Sequence, residues 1–534
     1  MKNLLLLFVV ITVFYLGYVE AQVPPFTRTY DIYPDQTGEC LMSMEKTHDN
    51  GYIVAYNTNE WWDHRTSILK LNENGDVEWH HILDQEAFPD AWSHSICIDP
   101  DENYYIAGYY NIYYPGFWLD QNGFVAKYNC NGDYIWGRSY GTMPQHETDS
   151  SFNSESVHDI VSYDENKLVI VGGTNYCPEN ELKFMSAPWI FAIDSSGNLL
   201  WEWNDCADTV HMNGQFKAVT KSDDGKIFAA GILVRARVPG DYTQPADNLG
   251  FLATFNENGD LVNRRTWNFL KNVSEFYDIK KVDYNLFAVS GYTADTLVYA
   301  GDKKERLSLI LFDSDLHERF QYNINVGGGG GYSKISIDSD TNIFLVGITY
   351  PPYLDENTEK RSDMLIAKFN KNAELIWKKF VGEDNIWYQL PQVDVVADND
   401  GGASFCSQLE DFVAQTGGSY LYKVNDMGEG DFSLSSFPYP DDDEYIIYNN
   451  IVNESYEDIL IYPNPTKNEL TIKITEKYKG CLMSLVNLSG QNVMSTRLLN
   501  IYNYINAEAL NNGIYILKLE KQGMNIYRKI VICK

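Results

Sequence analysis

The phrase LKLNENGDVEW, residues 69–79, recurs with variation along most of the chain, and no other feature restricts the possible folds as strongly. The copies are ILKLNENGDVEW ending at Trp79, VAKYNCNGDYIW at Trp136, FAIDSSGNLLW at Trp201, LATFNENGDLVN at Asn263, LILFDSDLHERF at Phe320, IAKFNKNAELIW at Trp377 and LYKVNDMGEGDF at Phe432. Their first polar residues are Asn72, Asn129, Asp194, Asn256, Asp313, Asn370 and Asn425. These are 55 to 65 residues apart, yet each lies 7 residues before its closing position. Insertions are therefore excluded from this stretch and tolerated elsewhere.

A second phrase precedes each copy: DNGYIVAY from Asp49, DENYYIAG from Asp101, ENKLVIVGG from Glu165, DDGKIFAAG from Asp223, DYNLFAVSG from Asp283, DTNIFLVG from Asp340 and NDGGASFCS from Asn399. Each reads as a polar turn followed by a short apolar strand ending in small residues. One unit is then strand A, a tight turn, strand B, a variable loop, strand C, the Asn-Gly turn and strand D with its aromatic. Four short strands per repeat of this length predict one blade of a propeller. The 39 Tyr, 25 Phe and 12 Trp agree, being residues that favour strands.

The expected fold class is all-β: a seven-bladed β-propeller over residues 22–440, followed by a small Ig-like β-sandwich. Gly108, Gly172, Gly231, Gly291 and Gly347 are expected where strand B passes close to a neighbouring blade, and the closing Trp between adjacent sheets. The segment FTRTYDIY, Phe26 to Tyr33, resembles a D strand and is expected to pair with Tyr420 to Val424, closing the ring and removing its open edges.

Asn72, Asn74 and Asp76 around Gly75 imitate the alternating oxygens of a calcium loop. Across the copies Ser195 and Ser196, Leu316 and Ala373 break that pattern, and no late bidentate Glu is kept. A hairpin turn needing φ > 0 is the better reading. No HExxH, GxSxG, Walker A, CxxC or Rossmann fingerprint occurs, and His146 in HETDS lacks a second His, so neither a metal site nor a cofactor is expected. The glycine run Gly327 to Gly331 precedes a strand and is expected to be a flexible loop. The eight Cys are irregularly spaced, with Cys177 and Cys206 a weak candidate pair.

Beyond Phe432 the repeat stops. Residues 441–458, opening on the acidic run Asp441 to Glu444, read as a solvated linker. From Ile459 onward, 10 Lys or Arg against 4 Asp or Glu give +6, which leaves −39 of the total −33 for the rest, so the end segment is expected to be a separate module. Its alternating strands and turn dipeptides such as Asn512-Gly513 predict the sandwich.

Two resemblances follow. The phrases DNGYIVAY and KLNENGDVEW resemble the roughly 60-residue propeller repeats of bacterial secreted proteins, a likeness that implies a scaffold and no particular activity. Residues 459–534 resemble the C-terminal sorting domain of the type IX (Por) secretion system of Bacteroidetes. The matching residues are Tyr462, Pro463, Asn464 and Pro465, then Gly490 in VNLSGQNV, Gly513 and Tyr515 in LNNGIYILKL, and the terminus RKIVICK. That likeness implies export through the periplasm, recognition by the type IX machinery and a secreted or surface-attached product. Residues 1–21, with Lys2 and an apolar run from Leu4 to Val19, read as a signal peptide, and no later segment is apolar enough to span a membrane.

The net charge of −33 argues against nucleic acid and anionic lipid as partners. A carbohydrate or an extracellular protein is the expected ligand, bound without catalysis by aromatics of the long B-to-C and D-to-A loops. The candidates are Trp61, Trp62, His64, Tyr113, Tyr114, Trp118, Trp387 and Tyr388. The alternative is a secreted carbohydrate-active hydrolase or lyase using carboxylates from Glu60, Asp63, Asp120, Asp302 and Glu305.

Overall fold

The computed structural model describes residues 23–532 apart from 33–38, 59–63, 115–117, 142–153, 176–185, 206–210, 237–245, 268–272, 295–304, 327–328, 351–361, 383–385, 412–415, 438, 440, 442, 448–458, 463–465, 475–477, 488–490 and 522–523. Residues 1–21, expected to be a signal peptide, and Cys177 and Cys206 lie outside the described residues. The chain divides into two compact units, the second taking residues 447–534 together with His317–Arg319. No helix among the described residues is long and apolar enough to cross a membrane.

The first unit is all-β and propeller-like, built of antiparallel sheets whose strands follow chain order. Seven sheets occur among the described residues, and the last is completed from the other end of the chain. Their first strands are Cys40–Lys46, Ala91–Ile98, Ser156–Ser162, His211–Lys221, Val273–Asp283, Gly329–Ile337 and Ile386–Ala397. Each first strand packs on the next, and the last packs on the first, so these strands line the centre of a closed ring.

Closure has a specific register. Strand Thr27–Tyr30 pairs with Thr416–Val424 through Thr27 opposite Tyr422 and Tyr30 opposite Ser419, as the sequence predicts, and supplies the outer strand of the seventh sheet. Behind this seam Asp398, 2% exposed, binds Lys423 Nζ at 2.7 Å, Lys46 Nζ at 2.5 Å and the Tyr52 hydroxyl at 3.0 Å. Lys46 and Tyr52 come from the first sheet and Asp398 and Lys423 from the last, so one buried carboxylate joins the two ends of the ring.

The NENGD turns explain the fixed spacing. Asn72 Oδ1 accepts from the amides of Asn74 and Asp76, both at 2.9 Å, and Gly75 has φ 77°. The same side-chain bonds recur at Asn129, Asp194, Asn256, Asn370 and Asn425. These oxygens hold the turn itself. Where Gly is lost, Leu316 and Ala373 still take φ 65° and 57°.

Four of these turns also seat the preceding sheet's closing Trp. A Cβ on Gly132 would meet Trp79 at 2.8 Å, one on Gly259 would meet Trp201 at 2.5 Å, and one on Gly428 would meet Trp377 at 2.9 Å. The indoles of Trp201 and Trp377 donate to the carbonyls of Glu257 and Asp426, at 3.0 and 2.8 Å. At the closing seam Phe26 takes the Trp place, lying against Gly75.

Three expectations need correction. The strand-B glycines mostly face the first strand of their own sheet rather than a neighbouring blade: a Cβ on Gly172 would lie 1.8 Å from the Ser156 carbonyl oxygen, and one on Gly231 2.1 Å from that of Gln215. Gly347 alone of the five meets the preceding sheet, at Leu307. Gly329, Gly330 and Gly331 belong to strand Gly329–Ile337 rather than to a loop.

The acidic run is not simply solvated either. Asp443 pairs with Lys378 at 2.6 Å and accepts from the Tyr322 hydroxyl and the Asn325 amide, both at 3.1 Å. Glu444 lies 3.4 Å from Arg306, and strand Glu444–Ile447 joins the fifth sheet as an added edge. Tyr439 stacks on Phe380 at 3.7 Å. A charged stretch of low hydrophobicity docks here because basic and tyrosyl partners are presented to it.

The second unit carries a three-stranded sheet, Ile459–Tyr462, Glu469–Ile474 and Tyr502–Asn506, and a four-stranded one, Leu482–Asn487, Asn492–Arg497, Gly513–Lys521 and Met524–Ile532. Leu470 and Ile472 of one and Met483, Leu485, Leu517 and Ile530 of the other share one buried cluster. Tyr462 ends its strand, while Pro463, Asn464, Pro465 and Gly490 lie outside the described residues. Gly513 takes φ 153° at the start of its strand, and Tyr515 is buried with its hydroxyl donating to the Asn511 carbonyl at 3.0 Å.

Candidate functional site

The strand-B glycines have a consequence at the ring centre. In four sheets the glycine stands opposite the residue just before a β-bulge in the first strand: Ser93 opposite Gly108, Val157 opposite Gly172, Phe216 opposite Gly231 and Phe276 opposite Gly291. The extra residues at these bulges are His94, His158, Lys217 and Tyr277, with Met42 at the same place in the first sheet. A bulge bends its strand and re-aims a side chain. Here it does so on the strands that line the ring.

The bulged side chains meet across sheet boundaries. The His94 ring lies 5.5 Å from Tyr109 and 5.2 Å from His158, centroid to centroid. His158 Nε2 is 2.7 Å from Gln215 Oε1, 3.2 Å from Ser156 Oγ and 3.4 Å from Lys217 Nζ. Tyr277 packs on Tyr332 at 4.7 Å and donates to Glu275, whose other oxygen accepts from Asn248 Nδ2 at 2.5 Å. The second to the sixth sheets thus contribute to one polar and aromatic cluster.

Beneath it a row of buried carboxylates fastens the sheets. Asp159 accepts from the Val219 amide at 2.8 Å, Asp278 from that of Ile335 at 2.9 Å and Asp394 from that of Met44 at 2.8 Å, each on the following sheet. Their other oxygens accept from Ile160, Ile279 and Val395. These carboxylates satisfy backbone donors that face the ring centre, a structural role.

Electrostatics separate the two rows. Burial pushes Lys280 and Lys334 down, but Asp278 and Asp159 beside them more than offset it and hold both above the usual lysine value. Lys217 lacks such compensation: burial brings it down to about 8, Glu275 pulling it up only partly and Lys334 opposing. Burial, with Lys217 and Lys334, brings His94 down to about 3, and burial, with Lys217 and His94, holds His158 well below its ordinary value. Both imidazoles are neutral at neutral pH.

The loop residues expected from the sequence fare differently. His64 is half-buried, its Nδ1 2.6 Å from Asp90 Oδ1 and its ring edge-on to Trp92 at 5.1 Å, so it packs its loop. Trp61 and Trp62 lie outside the described residues. Tyr113, Tyr114, Trp118, Trp387 and Tyr388 have their backbones in strands Tyr104–Tyr114, Trp118–Tyr128 and Ile386–Ala397, with side chains outside the description. Of the acidic candidates, Asp120 is buried, Glu305 opens a strand, and Glu60, Asp63 and Asp302 lie outside the described residues.

Sequence reasoning missed His94, His158, Lys217, Tyr277 and Tyr332. The signal for the first four was a constant spacing, each lying 14 residues before the Gly of strand B.

Residues 460–533 match the family model of the secretion system C-terminal sorting domain. This supports a type IX sorting-domain protein and export to the cell surface or the extracellular space. No curated protein matches the chain. Among solved structures, α-L-arabinanase of Penicillium chrysogenum complexed with arabinobiose is 8% identical over 75% of this chain and 97% of that one, with TM-score 0.39. Polysaccharide lyase Uly1 is 10% identical over 77% and 94%, also at 0.39. PorZ, a surface component of the type-IX secretion system of Porphyromonas gingivalis, is 9% identical over 92% and 81%, at 0.17. At such TM-scores these likenesses carry no argument about chemistry.

Proposed function

We propose that the chain is an exported seven-bladed β-propeller, residues 22–440, that binds a carbohydrate at one mouth of its ring and is delivered by an Ig-like sorting sandwich, residues 459–534, after signal-peptide export to the periplasm. The observation that carries the ligand-binding part is the cluster of His94, His158, Lys217, Tyr277 and Tyr332, polar and aromatic groups on five sheets brought to one place by strand bulges. The bulges lie within the first strands, Lys217 seventh of the eleven residues His211–Lys221, and the starts of these strands adjoin the D-to-A loops. Trp61, Trp62, Tyr113, Tyr114, Trp118, Trp387 and Tyr388 are proposed to form the outer rim of the same mouth, where aromatic faces would stack on sugar rings.

The alternative is a hydrolase or lyase, and one carboxyl among the ring-centre charges favours it: burial raises Glu45 to about 7. Against it, Asp159, Asp278 and Asp394 have both oxygens engaged with backbone amides, and Glu275 is held by Asn248 and Tyr277. Binding of the secreted protein to an array of glycans and extracellular proteins tests the reading: retention of a glycan class without release of shortened products is expected. Retention of proteins alone would overturn the carbohydrate assignment, and product release would restore the enzyme.

A further inference from the structure

Hydrogen-bond accounting around His158 leaves a cation without an acceptor. Gln215 Oε1, at 2.7 Å, takes the Nε2 proton, so Nε2 has no lone pair to offer Lys217 Nζ at 3.4 Å. The carboxylate nearest in charge terms, Glu275, has its oxygens engaged by Asn248 and Tyr277 and makes no ion pair with Lys217. His158 Nδ1 is buried and has no hydrogen-bond partner. A lysine ammonium and an imidazole nitrogen thus lie side by side at the ring centre, both short of a partner, on strands that bulge to bring them there.

The charge that fits is small. Lys280 and Lys334 are already balanced by Asp278 and Asp159, which leaves Lys217 as the uncompensated cation of the three inner lysines, and Glu275 nearby opposes a second negative charge. A single carboxylate meets these conditions better than a phosphate or sulfate. Tyr277 and Tyr332, packed together on the next two sheets, and Tyr109 beside His94 offer ring faces of the kind on which a pyranose stacks.

We propose that the ring centre holds the carboxylate of an acidic sugar, with Lys217 Nζ as its direct partner, His158 Nδ1 accepting from a hydroxyl of the same sugar, and Tyr277 and Tyr332 alongside its pyranose. This rests on the carbohydrate reading above and names the class of sugar. The titratable groups that act on Lys217 are His94 and His158 from the second and third sheets, Glu275 from the fifth and Lys334 from the sixth. Of those whose protonation is shifted, Lys217 alone changes charge near pH 8.

Calorimetry on the full chain with tetragalacturonate, tetraglucuronate and neutral cellotetraose tests this. At least one acidic tetramer should bind more tightly than cellotetraose, with affinity falling as pH rises through about 8. Lys217→Met should weaken it on the order of ten-fold or more, the loss of one charge-assisted hydrogen bond. Lys217→Arg should keep the binding and lose the decline near pH 8, so the test survives if the methionine variant folds poorly. Equal binding of neutral and acidic tetramers, or unchanged acidic binding in Lys217→Met, overturns the acidic-sugar inference and leaves the carbohydrate reading standing. Binding of no saccharide at all overturns both.

Discussion

At the residue scale the informative positions are glycines that admit another strand's backbone. Gly231 has room for no side chain, since a Cβ would lie 2.1 Å from the Gln215 carbonyl oxygen and 2.7 Å from Phe216 Cα. Without that approach the first strand of the fourth sheet would have to shift, taking the bulge at Lys217 with it. Gly231→Ala is expected to cost about 1–3 kcal/mol, the usual range for forcing volume into a packed site, and to weaken ligand binding in the folded fraction. Denaturant titration with calorimetry on the same sample checks both, and an unaltered midpoint would show the close approach to be dispensable. The asparagines of the NENGD turns were legible as turn formers because their spacing to the closing position never varies. The role of Gly231 was only half legible: a small residue at a strand end was evident, while the partner that demands it lies on a strand read as ordinary.

Among the elements, the closing seam carries the largest electrostatic commitment. Asp398 is buried with Lys423 and partly buried Lys46, and the hydroxyls of Tyr52 and Ser404 also donate to it. Burial raises its pKa, but Lys423 and Lys46 together bring it below the ordinary carboxylate value. A carboxyl depressed on folding stabilises the native state fully above its unfolded pKa, about 3.9, and loses that contribution as pH falls through the folded value. Asp398→Asn leaves Lys423 buried with Asp400 as its remaining anion, at 3.1 Å. It should destabilise by about 3–5 kcal/mol at pH 7, a deficit that shrinks at pH 3 and below. Thermal melts of both proteins across that range decide it, and a pH-independent difference would assign the effect to packing. The pairing of Thr27–Tyr30 with the last sheet could be anticipated because FTRTYDIY has a D strand's pattern and the seventh repeat lacks one. The docking of Asp443 and Glu444 could not, since Lys378, Tyr322 and Arg306 are distant in sequence and nothing local announces them.

The whole molecule carries a ring of sheets and a separate module, residues 447–534. Residues 460–533 match a sorting domain, so removing residues 459–534 should leave the protein folded and retained inside the cell envelope. Fractionation and surface proteolysis read this out, and normal surface delivery of the truncated chain would contradict it. Periodicity made the repeats and the end module readable. It could not locate the proposed binding site, because bulges move single residues off the alternating pattern and the groups they gather come from different sheets. The central claim is that ligand is taken at the ring centre and not on the outer surface. The most direct measurement compares glycan binding by a His94→Ala, His158→Ala variant with that of an outer-strand variant, Ile135→Ser with Leu200→Ser, whose two residues are about half exposed. Loss of binding in the first with full binding in the second is expected. Retained binding in the histidine variant, or its loss in the outer-strand variant with the fold intact, would contradict the claim.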